Sequence, residues 1–336
     1  MDKQKIILII VLLVIGGLIF RLEKEKPKLN SETPMPTLIN PQSWAPEITN
    51  PSGFLNTDGI KIHDLIGKKV VLVDFWTYSC INCQRTLPYL NAWYDKYKDK
   101  GLEIIGIHTP EFDFEKDRSN VQEAIEKYGI KYPVVQDNDF GTWRAYGNRY
   151  WPHKYLIDLT GAIVYDHIGE GGYDETEKQI QELLKAGDMG IAQPEGLKPM
   201  SSGPRSPEIY FGSERNEFLG NGQRGKTGVQ TFKAPEDPKP NTLYLVGQWD
   251  LQPEYAQALS QDAKIIFKYQ GAAMYMVASS EKSVSVSLMR DGKDYGSPFN
   301  IQNEDLYILS EQPEEGQHLM EIKAAPGLKA FTFTFG

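Results

Sequence analysis

Cysteine is almost absent from this 336-residue chain: there are two, Cys80 and Cys83. With no other thiol, neither a framework of structural disulfides nor a four-cysteine zinc site can be built. A protein without a spare thiol suits an oxidising compartment, where a stray cysteine would pair wrongly. Histidine is scarce too. His63, His108, His153, His167 and His318 are scattered, and none forms a tight pair with another histidine or a cysteine at helical spacing, so no metal site is expected. Basic charge is short: 36 Lys and Arg against 45 Asp and Glu give a net −9. No basic stripe is left to neutralise phosphates, which excludes a nucleic-acid partner. Tandem repeats are missing, and one long apolar run stands alone, Ile6–Phe20.

That run is shorter than the roughly 20 residues that cross a bilayer core. Lys3 and Lys5 precede it and Arg21 follows, and they can snorkel to the interface. Residues 1–22 therefore read as an uncleaved signal anchor, with a cleaved signal peptide as the alternative although no small-x-small site follows. Arg21, Lys24, Lys26 and Lys28 outnumber the leading lysines, against the positive-inside rule. A folded domain of this size usually crosses behind a first apolar segment all the same. The expected location is the cytoplasmic membrane, single-pass, with the bulk of the chain extracytoplasmic. Pro27, Pro34, Pro36 and Pro41 make residues 23–43 an extended tether.

Residues 44–187 alternate strand and helix patterns. Val70–Trp76 is apolar and β-branched apart from Asp74, the signature of a strand buried on both faces. Leu87, Leu90, Trp93, Tyr94 and Tyr97 then recur with a helical period. Leu102–Ile107 and Tyr132–Gln136 read as strands. Lys154–Asp158 and Ala162–His167 form a hairpin about Thr160-Gly161, and Phe54–Leu65 a hairpin about Asp58-Gly59. Helices are expected from a capping box at Ser119-x-x-Gln122, over Asp139–Tyr146, and from Asp174-x-x-Glu177. A βαβ unit followed by ββα predicts a mixed central sheet with flanking helices. Residues 188–207 are a Pro/Gly-rich linker. From 208 to 336 the period changes to two, as in Val284-x-Val286-x-Leu288, closed by an Asp291-Gly292 turn, and Phe331-x-Phe333-x-Phe335, and predicts an all-β, jelly-roll-like sandwich.

The chemistry converges on one stretch. Cys80 and Cys83 sit where strand turns to helix; there the free N–H groups and the helix dipole favour a thiolate, and two intervening residues let the sulfurs meet. Cys80, first in the turn, is the expected nucleophile and Cys83 the resolving thiol. A carboxylate at Asp74 in a buried strand costs several kcal/mol unless it neutralises or is hydrated, which points to use. The plain alternative is a side chain that reaches solvent or a lysine.

Val-Asp-Phe-Trp, Cys-x-x-Cys and Pro88 five residues on resemble a thioredoxin-fold active site. Asn56-Thr57-Asp58-Gly59, Asp64-Leu65-Ile66-Gly67-Lys68 and Phe75-Trp76-Thr77-Tyr78-Ser79 narrow the likeness to the membrane-anchored TlpA branch, above all the DipZ-type redoxins. That resemblance implies an α/β thioredoxin fold for 44–187 and a carbohydrate-module-like domain for 208–336. It implies thiol–disulfide exchange, in the direction of reduction, with no cofactor beyond a redox-active Cys80–Cys83 disulfide. Asp74 would accept the proton of Cys83. Pro152 would be cis, with Trp151 before it offering its backbone to substrate, while Trp76 and Pro88 shape the site. Electrons would come from a CcdA-like membrane protein. They would pass to exported protein disulfides such as those of apocytochrome c.

Two other readings stand beside this one. Thr77-x-x-Cys80 also matches peroxiredoxins, with Arg144 or Arg149 as thiolate partner, although Val73 stands where their proline is expected. In the last domain Tyr210, Trp249, Tyr269 and Tyr275 could stack on a sugar, but aromatics of a sandwich more commonly fill its core. That domain is expected to bind a glycan or protein, or to serve as a bare module, and to take no part in the chemistry.

Overall fold

A computed structural model describes residues 43–336 apart from 186, 188, 195–196 and 198–202, with the side chains of 312–314 also left aside. The expected anchor and nearly all of the tether lie outside the described residues. Among those described, no helix is long and apolar enough to cross a membrane.

The first sheet contains β1 (Gly53–Leu55), β2 (Val70–Trp76), β3 (Leu102–His108), β4 (Val134–Gln136), β5 (His153–Ile157) and β6 (Ile163–Ile168), in the order β1-β4-β3-β2-β5-β6. β2, β3 and β4 run parallel, and the other pairings are antiparallel. This is a thioredoxin-like mixed sheet. All seven residues of β2 are buried because helices and loops cover both faces, which accounts for an apolar strand without alternation. One face, with Val70, Leu72 and Trp76, packs on α1 (Ile81–Tyr97). The other, with Val71, Val73 and Phe75, packs on Trp143 and Tyr146, in and just after α3 (Gly141–Ala145). Gly106 lies opposite Asp74, and a side chain there would collide with the Trp76 indole.

Three local expectations change. Only Gly53–Leu55 is a strand, paired to β4, so Phe54–Leu65 is no hairpin: the chain leaves through turns once its partner strand ends. α2 (Arg118–Lys127) is capped by Asp117, whose carboxylate accepts from Ser119 N at 2.7 Å, in place of a Ser119 box. α4 (Tyr173–Leu184) starts from Gly172 without a side-chain cap. Glu177 is turned inward instead, accepting from Trp93 Nε1 at 3.0 Å, Tyr97 OH and Lys96 Nζ at 2.7 Å each, and Ala192 N at 2.7 Å. Burial alone would raise its pKa, yet these donors hold it below the usual carboxylate value. Glu177→Ala leaves a set of buried donors unpaired, and is expected to cost about 2–4 kcal/mol in a urea denaturation. An unchanged midpoint would show that the donors find other partners.

The second sheet is all antiparallel: β7 (Ile209–Tyr210), β8 (Gly228–Phe232), β9 (Leu243–Leu251), β10 (Ala256–Ala258), β11 (Lys264–Ser279), β12 (Val284–Arg290), β13 (Lys293–Ile301), β14 (Asp305–Lys323) and β15 (Lys329–Phe335). Lys264–Ser279 is one long strand, β11. It pairs with β14 along one edge; on the other it meets β9 through Lys264–Phe267 and β15 through Met274–Ser279. Gly271, at φ +147°, sits at the bend between these halves. The β9–β11 pairing folds the sheet onto itself around a core that includes Trp249, Phe267 and Phe333. Asp291 and Gly292 both take positive φ, as a two-residue hairpin requires, and join β12 to β13.

Candidate active site

Strand parity places the groups behind the cysteines. Asp74 shares its face of β2 with Leu72 and Trp76, so it points toward α1, where Cys83 is buried. Lys154 is its register partner on β5 and lies on the same face. Both are buried, and among the described residues one carboxylate oxygen of Asp74 has no hydrogen-bond partner. Lys154 Nζ donates to Gly169 O at 3.1 Å. Burial pushes Asp74 up to about 7, with the Lys154 charge pulling the other way. Burial pushes Lys154 down to about 8, against the pull of Asp74. Burial first, and Cys80 next, raise the Cys83 thiol well above its ordinary value. A thiol that holds its proton so firmly needs a nearby acceptor, and Asp74 titrates in the range where it can be one.

Cys80 is the N-cap of α1, half-exposed, and its sulfur accepts from Cys83 N at 3.3 Å. Both cysteines are free thiols here. Pro88 lies inside α1 where its ring removes one backbone donor. Trp76 is fully buried beneath. The Trp151–Pro152 bond is cis, and the Trp151 indole donates to Thr109 O at 3.0 Å while resting on Trp143. Of the two arginines considered for a peroxidase, Arg149 lines the cleft at Cys80, whereas Arg144 donates to Asp139 O. Thr77 Oγ1 lies 3.4 Å from His108 Nε2. Burial pushes His108 down to about 3, so it stays neutral and is no general base at ordinary pH.

Two functional candidates escaped the sequence reading. Lys154 was legible, as a charge inside an apolar strand just as Asp74 is. Glu115 was not. Fully buried, it accepts from Ser79 Oγ at 2.6 Å, Phe112 N at 3.0 Å and Glu111 N at 2.5 Å, and so fixes the loop that carries Cys80.

The β-rich domain, expected to take no part in the chemistry, borders the site. Cys80 opens into a cleft of about 440 Å³ whose walls include Tyr150 and Trp151 on one side and Tyr210, Arg215, Thr334 and Phe335 on the other. Trp249 and Tyr269 are core residues, as the commoner use of such aromatics has it. Tyr275 instead faces α1, accepting from Arg85 at 3.0 Å, and Tyr210 donates to Glu111 at 2.8 Å.

The AhpC/TSA family pattern matches residues 41–166, and that described as thioredoxin like C-terminal domain matches 206–336. Thiol-disulfide oxidoreductase ResA of Bacillus thuringiensis is 32% identical over 197 residues, which cover 55% of this chain and 98% of that protein. The chain belongs to the thioredoxin-like thiol-disulfide oxidoreductases. Another of these oxidoreductases, YkuV of Bacillus subtilis, is 31% identical over 41% of the chain and 93% of its own length. Protein DipZ of Mycobacterium bovis is 38% identical over 299 residues, 87% of this chain, and is the relative of the three whose alignment runs farthest along it. The aligned region spans 43% of DipZ.

Proposed function

We propose that this protein is a dithiol–disulfide reductase, tethered to the cytoplasmic membrane by residues 1–22 and acting on exported proteins. The Cys80 thiolate attacks one sulfur of a substrate disulfide, forming a mixed disulfide and releasing the other sulfur as a thiolate that takes up a proton. Cys83, giving its proton to Asp74, attacks Cys80 Sγ and frees the second substrate thiol. Two electrons leave the dithiol, and the Cys80–Cys83 disulfide remains. A CcdA-like membrane dithiol would return the electrons, and cysteines of apocytochrome c are among the fitting substrates. Trp151 would pair its backbone with the substrate beside the cis bond.

The observation that carries this reading is the buried Asp74–Lys154 pair behind Cys83, with Cys80 open to the cleft. Exchange is favoured over peroxide reduction because a resolving thiol stands one turn away, while Thr77 is engaged near His108. Its β-rich domain is read as a protein-facing module, since three of the four candidate sugar-stacking aromatics are buried. Equilibration with glutathione is expected to give a reduction potential near the roughly −270 mV of thioredoxin. A value near −120 mV would make it an oxidant. Peroxide turnover orders of magnitude faster than peptide-disulfide turnover would make it a peroxidase.

A further inference from the structure

In an exposed Cys-x-x-Cys site, the residue after the first cysteine faces whatever protein docks. Here that residue, Ile81, is only 8% exposed and packs on Ala273 and Tyr275 of the β-rich domain. Arg85, one turn further, donates to Tyr275 OH and pairs with Glu170 at 3.4 Å. On the opposite side the segment after β3 is clamped to the same domain. Glu111 pairs with Arg215 at 2.9 Å, and Phe112 and Phe114 pack edge-on against Phe331 at 5.2 and 4.9 Å between centroids. This clamped segment is the one whose Glu115 holds Ser79, next to Cys80. Two sides of the dithiol are thus covered.

Cys80 itself opens into the cleft rimmed by Arg149, Trp151 and Tyr150, the last 51% exposed; a second cavity of about 650 Å³, lined by Ile81, Arg85 and Tyr275 among others, runs beside α1 and does not include Cys80. The Cys80 cleft has room for a few residues of extended chain. An extended segment fits between Trp151 on one wall and Tyr210 and Phe335 of the β-rich domain on the other, whereas a broad folded surface meets the β-rich wall before it comes to Cys80. We infer that the β-rich domain is a selectivity roof: it admits disulfides carried on extended, unfolded polypeptide and rejects those presented on a folded surface. This rests on the exchange activity proposed above and names its substrate class.

The test is single-turnover, so the pre-reduced protein supplies both electrons. Its rate is followed on native insulin and on a linear peptide disulfide carrying the residues that flank the same cystine. The wild-type protein is expected to prefer the peptide by about 100-fold beyond the intrinsic difference measured with dithiothreitol. Phe331→Ala lies outside the cleft and loosens the clamp; it should narrow that preference to about tenfold or less by speeding insulin, with the peptide rate kept. Should it fail to fold, Lys127→Glu serves: at the surface it replaces the Lys127–Asp305 pair with two like charges across the same boundary. An equal wild-type preference, or one that the folded variant leaves unchanged, overturns the roof. Failure to reduce either substrate would instead overturn the exchange activity, and the two outcomes are distinct.

Discussion

Cys83→Ser is expected to accumulate a mixed disulfide on Cys80 when incubated with a peptide disulfide, and Cys80→Ser to accumulate none. Cys80 faces the cleft, while Cys83 is 1% exposed behind it. Burial also raises the Cys83 thiol well above its ordinary value, which disfavours its thiolate. Either substitution should lower multiple turnover by on the order of 10³-fold or more, since the two thiols act as a unit. Digestion and mass spectrometry locate the adduct. Adducts on the Cys80→Ser protein would reverse the assignment.

The second large effect is on pH. Asp74 titrates at about 7, raised by burial, so its carboxyl is protonated below that pH and a proton acceptor above it. The resolving step should therefore climb as pH rises through 7. In Asp74→Asn the climb moves toward the higher pKa of Cys83 itself, and the rate at pH 7.5 falls by about 10²-fold, the usual share of a general base. Lys154→Met removes the charge that lowers Asp74, so its inflection should shift upward. Stopped-flow release of substrate from a preformed Cys80 adduct measures this step. A profile unchanged in Asp74→Asn would leave Asp74 an ordinary strand residue.

Much of this was legible because it is local. The β-branched run into Cys-x-x-Cys gave a buried strand and a helix start, since each depends on neighbours a few residues away. Asp74 stood out for the same reason, a charge where its own strand permits none. Asp291-Gly292 named its hairpin through the backbone angles those residues tolerate. Local signals also misled: Asp58-Gly59 invited a hairpin that needs a second strand, and the strand partner of Gly53–Leu55 lies some 80 residues on. At Ser119 a better cap stood two residues earlier.

The sequence alone determined the dithiol, the strand and helix that hold it, and the change of period that separates an α/β part from an all-β part. Tertiary structure decided the rest. Lys154 faces Asp74 only because β5 runs antiparallel to β2 in one register, and a slip of one residue would send it to the other side of the sheet. The contacts that bring the β-rich domain beside the Cys80 cleft join residues 81–114 to residues 215–331 through an ion pair, ring contacts and the packing of Ile81 on Tyr275. Such contacts carry no period and no local preference, so no pattern along the chain announces them.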